Sequence, residues 1–203
     1  MKNNNKLVSL KEDPFDLFAK WFSLAGKNEI NDPNAMCLST ANKKLQISSR
    51  MVLLKSFNRN GFIFNTNINS RKGEMIKNNS LVAINFHWKS LRKQVHIEGY
   101  AKLLNKKDAD RLFHLRPKMS KIGAWASNQS SNLKYGREEL LQRVDQFKKQ
   151  FKNKAIPRPK HWSGYKVIPQ MFEFWQDMPH RLHHRVIFLK SGKNRWKAKN
   201  LYP

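Results

Sequence analysis

The segment from Phe172 to Arg185 reads Phe-Glu-Phe-Trp-Gln-Asp-Met-Pro-His-Arg-Leu-His-His-Arg, and it holds one Trp, two Arg and three His. A stretch that only filled a core would not gather cations and imidazoles, because each must be solvated or paired once it is buried. These residue types suit an anionic, planar ligand. Trp175 offers a ring face, Arg181 and Arg185 offer forked donors, and His183 can exchange or share a proton near neutral pH.

Other blocks carry related chemistry. Arg50-Met51-Val52-Leu53-Leu54-Lys55 is apolar with a cation at each end, and in an extended chain Arg50 and Lys55 emerge on opposite faces. The plainer reading is a pair of rim cations beside a buried strand. Thr66-Asn67-Ile68-Asn69-Ser70-Arg71-Lys72 reads as a strand running out into a helix with two cations in its first turn. Cations there oppose the helix dipole unless an anion sits with them, which points to a phosphate site; a solvated charged face is the alternative. Arg116-Pro117-Lys118-Met119-Ser120 is a third cationic corner with a hydroxyl, and Gln129-Ser130 follows a Trp-containing apolar turn. His96 with Glu98, and His114 with Asp110, are isolated pairs short of a metal ligand set, so no metal is expected. The chain has neither a Gly-rich phosphate loop nor a nucleophile elbow.

The elements that must position these groups follow from pattern. Asp13-Pro14 caps a helix whose apolar residues Phe15, Phe18, Trp21 and Phe22 recur at helical spacing until Gly26. Strands are expected at 35 to 41 and 45 to 55, and Asn60-Gly61 signals a hairpin into a strand at 62 to 66. A short helix should run from Ser70 to Asn79, then strands at 81 to 88 and 94 to 104, where Gln94, His96 and Glu98 alternate with Val95 and Ile97. A helix is expected from 106 until Arg116-Pro117. A longer one from Gly136 to Phe151 carries a core-facing stripe of Leu140, Leu141, Val144, Phe147 and Phe151, ended by Pro157 and Pro159. Strands at 164 to 176 and 181 to 189, a turn at Ser191-Gly192 and a strand around Trp196 complete the chain. The sum is a mainly β, antiparallel architecture with peripheral helices and enough strands to curl into a barrel.

With 203 residues the chain fits one domain, here 13–203, behind a flexible N-terminal segment 1–12. The single Cys37, in the apolar run Ala35-Met36-Cys37-Leu38 of a buried strand, allows no internal disulfide. No run is long and uncharged enough to span a bilayer and no signal peptide is visible, so a cytoplasmic protein without membrane attachment is expected. The formal charge of +26 invites a nucleic-acid partner, but Lys is scattered through every segment together with Asn rather than lined up on one motif. Only nonspecific polyanion binding is expected from it.

In order, the blocks R-x-V-L-L-K, T-N-x-x-S-R-K, Q-V-x-I-E-G, R-P-x-x-S-x-I-G-A-W, Q-S, E-F-W-Q and R-L-H-x-R closely resemble the pyridoxamine 5'-phosphate oxidases, from about Asp13 to Pro203. The resemblance implies an FMN-binding split β-barrel, a homodimer with two flavin sites at the subunit interface. It also implies oxidation of pyridoxamine or pyridoxine 5'-phosphate to pyridoxal 5'-phosphate, with hydride transfer from the substrate's 4-prime carbon to the flavin and reduction of O2 to H2O2. By position it implies that FMN is held by Arg50, Met51, Val52, Leu53, Leu54, Lys55, Asn65, Thr66, Arg71, Lys72, Gln94, Gln129, Ser130, Trp175 and Arg185. The substrate would meet Lys55, Leu112, Arg116, Ser120, Arg181, Leu182 and His183, with Arg181 and His183 over the reacting carbon and neighbouring ring oxygen. Two dianionic phosphates need two separate basic clusters, which this division supplies.

Three positions depart from the family pattern: Leu112 stands where Tyr is usual, Asn65 where an aromatic is common, and His184 where Asp is usual. If 181 to 185 is an extended strand, Arg181, His183 and Arg185 share one face and His184 points to the other. Two rival readings remain open at this point: a split-barrel FMN protein acting on another substrate, and a basic nucleic-acid-binding protein that has no use for Trp175, Gln94 or the His-rich segment.

Overall fold

In the computed structural model, which describes residues 7–203, the Asp13 carboxylate accepts from the N–H groups of Phe15 at 2.9 Å and Asp16 at 3.2 Å. With Pro14 in the first turn, helix α1 (Pro14–Asn28) begins where its cap dictates. Gly26 lies inside it rather than ending it. The remaining elements are β1 (Ala35–Ala41), β2 (Ile47–Asn58), β3 (Gly61–Asn67), α2 (Arg71–Asn78), β4 (Leu81–Trp88), β5 (Lys93–Leu103), α3 (Lys106–His114), α4 (Lys118–Ala126), α5 (Gly136–Gln150), β6 (Trp162–Gln176), β7 (His184–Lys190) and β8 (Trp196–Leu201). The β2–β3 turn requires its glycine: Gly61 has φ +128°, and a Cβ there would lie 2.2 Å from the Val167 carbonyl oxygen.

Every strand pairing is antiparallel, in the order β3-β2-β1-β4-β5-β6-β7-β8, and an additional β3–β6 pairing closes the first six into a barrel. The closing strand changes partner along its length. Trp162 to Val167 pair with β3, whereas Met171 to Gln176 pair with β7. Between the two stretches the β5–β6 register shifts at Glu98/Gly99, opposite Pro169. Proline has no N–H to give a ladder, and a Cβ on Gly99 would sit 2.2 Å from the Ile168 carbonyl oxygen, so both residues belong to this bulge.

Alternation fills the barrel. Met36, Leu38, Ile84, Phe86, Val95, Ile97, Phe172 and Phe174 point inward and are buried, while the polar partners on β5 face out as their period requires. Helix α1 packs on this interior through Phe18, whose ring is 4.8 Å from those of Phe57 and Phe62 and 5.1 Å from Phe86. A smaller cluster of Phe113, Ile122, Phe151, Ile156 and Trp162 binds the helical layer to one end of β6.

Several expectations are corrected. The segment after Arg116-Pro117 is a helix, α4, not an apolar turn. Helix α5 stops at Gln150, ahead of Pro157, and buries none of its residues; Leu141 is 50% exposed. Its stripe faces the smaller core cluster, which holds Phe151 and against which Val144 and Phe147 pack, rather than the barrel interior. Cys37 is only half-buried, because alternation along β1 turns it to the outer face. Strand β7 begins at His184, so Arg181 and His183 are not on an extended strand: His180 (φ 57°) and Arg181 (φ 62°) are left-handed and break the alternation. Residues 1–6 of the expected N-terminal segment lie outside the described residues. Val8 is buried in the main core, and its carbonyl accepts from His184 Nε2 at 3.2 Å.

Phe18→Ala should destabilise the protein by about 3–5 kcal/mol, whereas Leu141→Ala should cost about 0.5 kcal/mol or less. Urea unfolding with an unchanged m-value measures both.

Candidate functional site

A cavity of about 860 Å³ opens between β2, β3, the start of α2 and the α3–α4 layer. This lies within the roughly 300–1,000 Å³ typical of ligand clefts. Its lining includes Arg50, Met51, Val52, Leu53, Lys55, Asn65, Thr66, Lys72, Leu112, Arg116, Ser120 and Gln129, and it contains no Asp or Glu. Arg50 and Lys55 lie on opposite sides of the β2 alternation yet reach the same cavity. Leu54, between them, is buried in the main core.

At one end the Ser70 side chain caps α2, and Lys72 Nζ donates to Gln129 Oε1 (3.0 Å), Thr66 Oγ1 (3.2 Å) and Ser70 Oγ (3.3 Å). Lys72 is only 8% exposed, and among the described residues it has no carboxylate partner. Burial and the nearby Arg50 push its ammonium pKa down. Arg50 donates to Thr40 Oγ1 (2.8 Å) and the Leu38 carbonyl (3.1 Å), and burial and Arg71 lower its pKa in turn. The contact of α2 with the turn before it is fixed by Gly73, where a Cβ would meet the Ile68 carbonyl oxygen at 2.1 Å. Arg50, Arg71 and Lys72 are thus mutually repelling cations at a helix N-terminus, and the hydrogen-bond partners of Arg50 and Lys72 are all neutral, an arrangement that an anion would relieve.

Lys55, Arg116 and Ser120 also line the cavity. The Arg116 guanidinium lies 5.0 Å over the Trp162 ring and 5.9 Å from Phe113, and burial lowers its pKa. Leu112 lines the cavity while resting against the small apolar cluster, so it can serve both.

Arg71 adjoins this cavity beside Lys72 without lining it. The rest of the expected set, Ser130, Gln94, Trp175, Arg181, Leu182, His183 and Arg185, does not line it either. Gln94, Trp175 and Arg185 are direct cross-strand partners, forming one row on β5, β6 and β7. Arg185 is already engaged, with Nε donating to Glu173 Oε1 at 2.7 Å and Nη1 to the Tyr202 carbonyl at 2.9 Å, and the Glu173 contact raises its pKa. Arg181 and His183 line a second cleft of about 590 Å³ together with Arg92, Gln176 and Asp177. The His183 ring packs on Trp175 at 4.7 Å. Leu182 beside them is exposed. Two buried polar groups facing these clefts have no protein partner, Asn65 Oδ1 in the first and both ends of the Gln176 amide in the second.

Sequence reasoning missed Trp162, His161, Arg92 and Asp177. Trp162 supports Arg116 across a large sequence separation, and His161 meets the Ala124 carbonyl at 2.9 Å. Neither has a local signal. Asp177 stood within the His-rich segment and could have been named as its one uncommitted acid. Among the described residues no helix is long and apolar enough to cross a membrane, and no group of three or more His, Cys, Asp or Glu could hold a metal.

Residues 25–160 match the family described as pyridoxamine 5'-phosphate oxidase, and residues 162–203 match the pyridoxine 5'-phosphate oxidase C-terminal dimerisation region. The chain is 46% identical to a pyridoxine/pyridoxamine 5'-phosphate oxidase of Pelagibacter ubique, covering 98% of this chain and 96% of the relative. It is 48% identical to the protein of that name from Rhodospirillum rubrum, covering 94% and 96%. Among solved structures it is similar to PhzG from Burkholderia lata, in complex with tetrahydrophenazine-1-carboxylic acid, with TM-score 0.88 and 30% identity over 94% of this chain and 93% of that one.

Inorganic phosphate should raise the Tm of ligand-free protein. Lys72→Met should remove at least half of that rise and Lys197→Met, an exposed control on β8, should leave it intact; thermal melts against phosphate concentration check this.

Proposed function

The chain belongs to the pyridoxamine 5'-phosphate oxidase family, and from that premise we propose that it oxidises pyridoxamine 5'-phosphate or pyridoxine 5'-phosphate to pyridoxal 5'-phosphate, using FMN and O2. The observation that carries the reading is the acid-free cavity lined by four cations, Arg50, Lys55, Lys72 and Arg116, which suits phosphorylated ligands.

The residues present fit FMN. Arg50, Arg71 and Lys72 would take its phosphate, Asn65, Thr66 and Gln129 offer polar contacts nearby, and Trp175 with Gln94 and Arg185 offers a ring face and donors. Lys55, Arg116 and Ser120 would take the substrate phosphate. Bound FMN supplies the hydride acceptor and passes the electrons on to O2, giving H2O2. The protein's part is to fix both phosphates, exclude water and hold Arg181 and His183 against the substrate ring, with His183 Nε2 available for a proton.

The two residue sets belong to opposite ends of β6, Trp162 with the large cavity and Trp175 with the His183 cleft. A strand of 15 residues at about 3.3 Å per residue spans about 45 Å. One protomer therefore cannot bring the sets together, and we infer a homodimer in which the segment after Trp162 of one protomer completes the flavin site of its partner at the interface. The match of 162–203 to a dimerisation region supports this. A second reading takes its substrate from the likeness to PhzG, an aromatic carboxylic acid. The paired Arg116 and Lys55 beside Ser120 favour a phosphate instead.

Purified protein supplied with FMN and pyridoxamine 5'-phosphate should form pyridoxal 5'-phosphate and peroxide, and failure on both vitamin substrates while FMN binds would leave only the flavoprotein reading. Lys72→Ala should weaken FMN by roughly ten- to a hundredfold, the equivalent of about 1.5–3 kcal/mol, with substrate KM little changed. Arg116→Ala should do the reverse, and an exchange of these effects in flavin titration and steady-state kinetics would mean the two phosphate ends are swapped.

Leu112→Tyr should lower substrate KM by roughly tenfold, a hydrogen bond's worth of about 1 kcal/mol or slightly more, without altering FMN affinity. If Leu112 serves only the small apolar cluster, the same variant lowers Tm and leaves KM alone.

A further inference from the structure

Asp177 sits where the end of β6 meets the β4–β5 turn. Its N–H donates to the Arg92 carbonyl at 3.0 Å, and its Oδ2 is in contact with the Arg92 guanidinium. Its other oxygen, Oδ1, lies 3.1 Å from His183 Nδ1, and both side chains are largely sealed from solvent, at 16% and 17% exposure. The Met178 N–H also points at Nδ1, from 3.3 Å. Trp175 covers the ring, and His183 Nε2 has no hydrogen-bond partner among the described residues. His184 gives His183 no countercharge, since it turns its own Nε2 to the Val8 carbonyl.

Two groups therefore compete for one nitrogen with opposite demands. A carboxylate only accepts, so Asp177 requires a proton on Nδ1; the Met178 N–H only donates, so it requires a lone pair there. The contact to the charged group is shorter and stronger. We propose that Asp177 is a positioning residue for the reaction: its carboxylate, braced by Arg92, holds neutral His183 in the tautomer protonated on Nδ1. Nε2 is then left open as a proton acceptor toward the 590 Å³ cleft. Without the carboxylate, the Met178 N–H draws the lone pair to Nδ1, and the proton moves to Nε2, where it blocks that role. The tautomer stands on geometry alone. Its use in turnover rests on the oxidase reading above.

The test uses FMN-loaded protein labelled with 15N-histidine, with His183→Gln to assign the signal and long-range 1H–15N NMR recorded where the imidazole is neutral. The parent should show Nδ1–H at His183, Asp177→Ala should show Nε2–H, and Asp177→Asn, whose amide oxygen can still accept, should retain Nδ1–H in part. In the same variants kcat should fall at least roughly tenfold for Asp177→Ala and less for Asp177→Asn, with substrate KM, FMN affinity and Tm near parental values. Combined with His183→Ala, Asp177→Ala should cause little further loss, because it acts through the imidazole. An Nε2–H parent, or an unchanged tautomer in Asp177→Ala, overturns the proposal, and a switched tautomer with unaltered kcat overturns its catalytic part. If the parent turns over neither vitamin substrate, the oxidase reading fails by itself, and the NMR result still decides the role of Asp177.

Discussion

Strand β6 changes its second neighbour midway, and most of the molecule depends on that. Paired with β5 throughout, it closes the barrel against β3 with its first half and carries β7 and β8 on its second. The change of partner needs a residue that can do without a ladder donor and a neighbour strand that can approach closely, which Pro169 and Gly99 provide. Because the strand is long and stiff, it also fixes where chemistry can occur. Trp162 at its start supports Arg116, while Trp175 near its end packs against the His183 ring at a tilt. The same backbone that builds the core keeps these two groups apart within a protomer, so core and site geometry have one cause.

Charge acts at a different level. A net charge of +26 says little about a site, since unpaired surface cations are the ordinary state of a chain with 40 Lys and Arg against 14 Asp and Glu. What discriminates is burial without a countercharge. Arg59 pairs with Asp13 and Asp16, and Arg158 with Asp110, whereas Lys72, Arg50 and Arg116 take up neutral hydroxyl, carbonyl, amide and ring partners. Burial disfavours the charged form of each, as their lowered pKa values indicate. Such positions raise the energy of the ligand-free state and lower that of an anion complex, which concentrates binding free energy on phosphate.

Local signals in the sequence were reliable where one short segment decides the outcome. Asp13-Pro14, Asn60-Gly61, Ser70 and the β5 alternation each specify an element by capping, turn geometry or period, and each element is found. Signals failed where tertiary context decides. Helix α4 was hidden because Pro117 and Gly123 look like turn residues, although Pro117 only precedes the first turn. The α5 stripe has helical period but faces a cluster too small to cover it. Site residues could be named from a resemblance spread over the whole chain, yet nothing in their spacing reveals that some line one cavity, two line another and several line neither, because distance through the fold is set by β6.

The segment that first suggested chemistry is also where the backbone is least at ease. His180 and Arg181 are consecutive non-glycine residues with positive φ, in a turn between Pro179 and the start of β7. Conformations of that kind cost of order 1–3 kcal/mol each and persist only where the surroundings over-determine them. Here the surroundings are identifiable: Pro179 fixes the entry to the turn, the Leu182 N–H bonds the Pro179 carbonyl at 3.1 Å, and Asp177 ties the preceding strand end to Arg92 and His183. An extended path from 181 to 185 would have put Arg181 and Arg185 in one row. The left-handed turn breaks that row, so the strain accounts for why Arg185, on the regular strand and engaged by Glu173, parts from Arg181 and His183, which share a cleft.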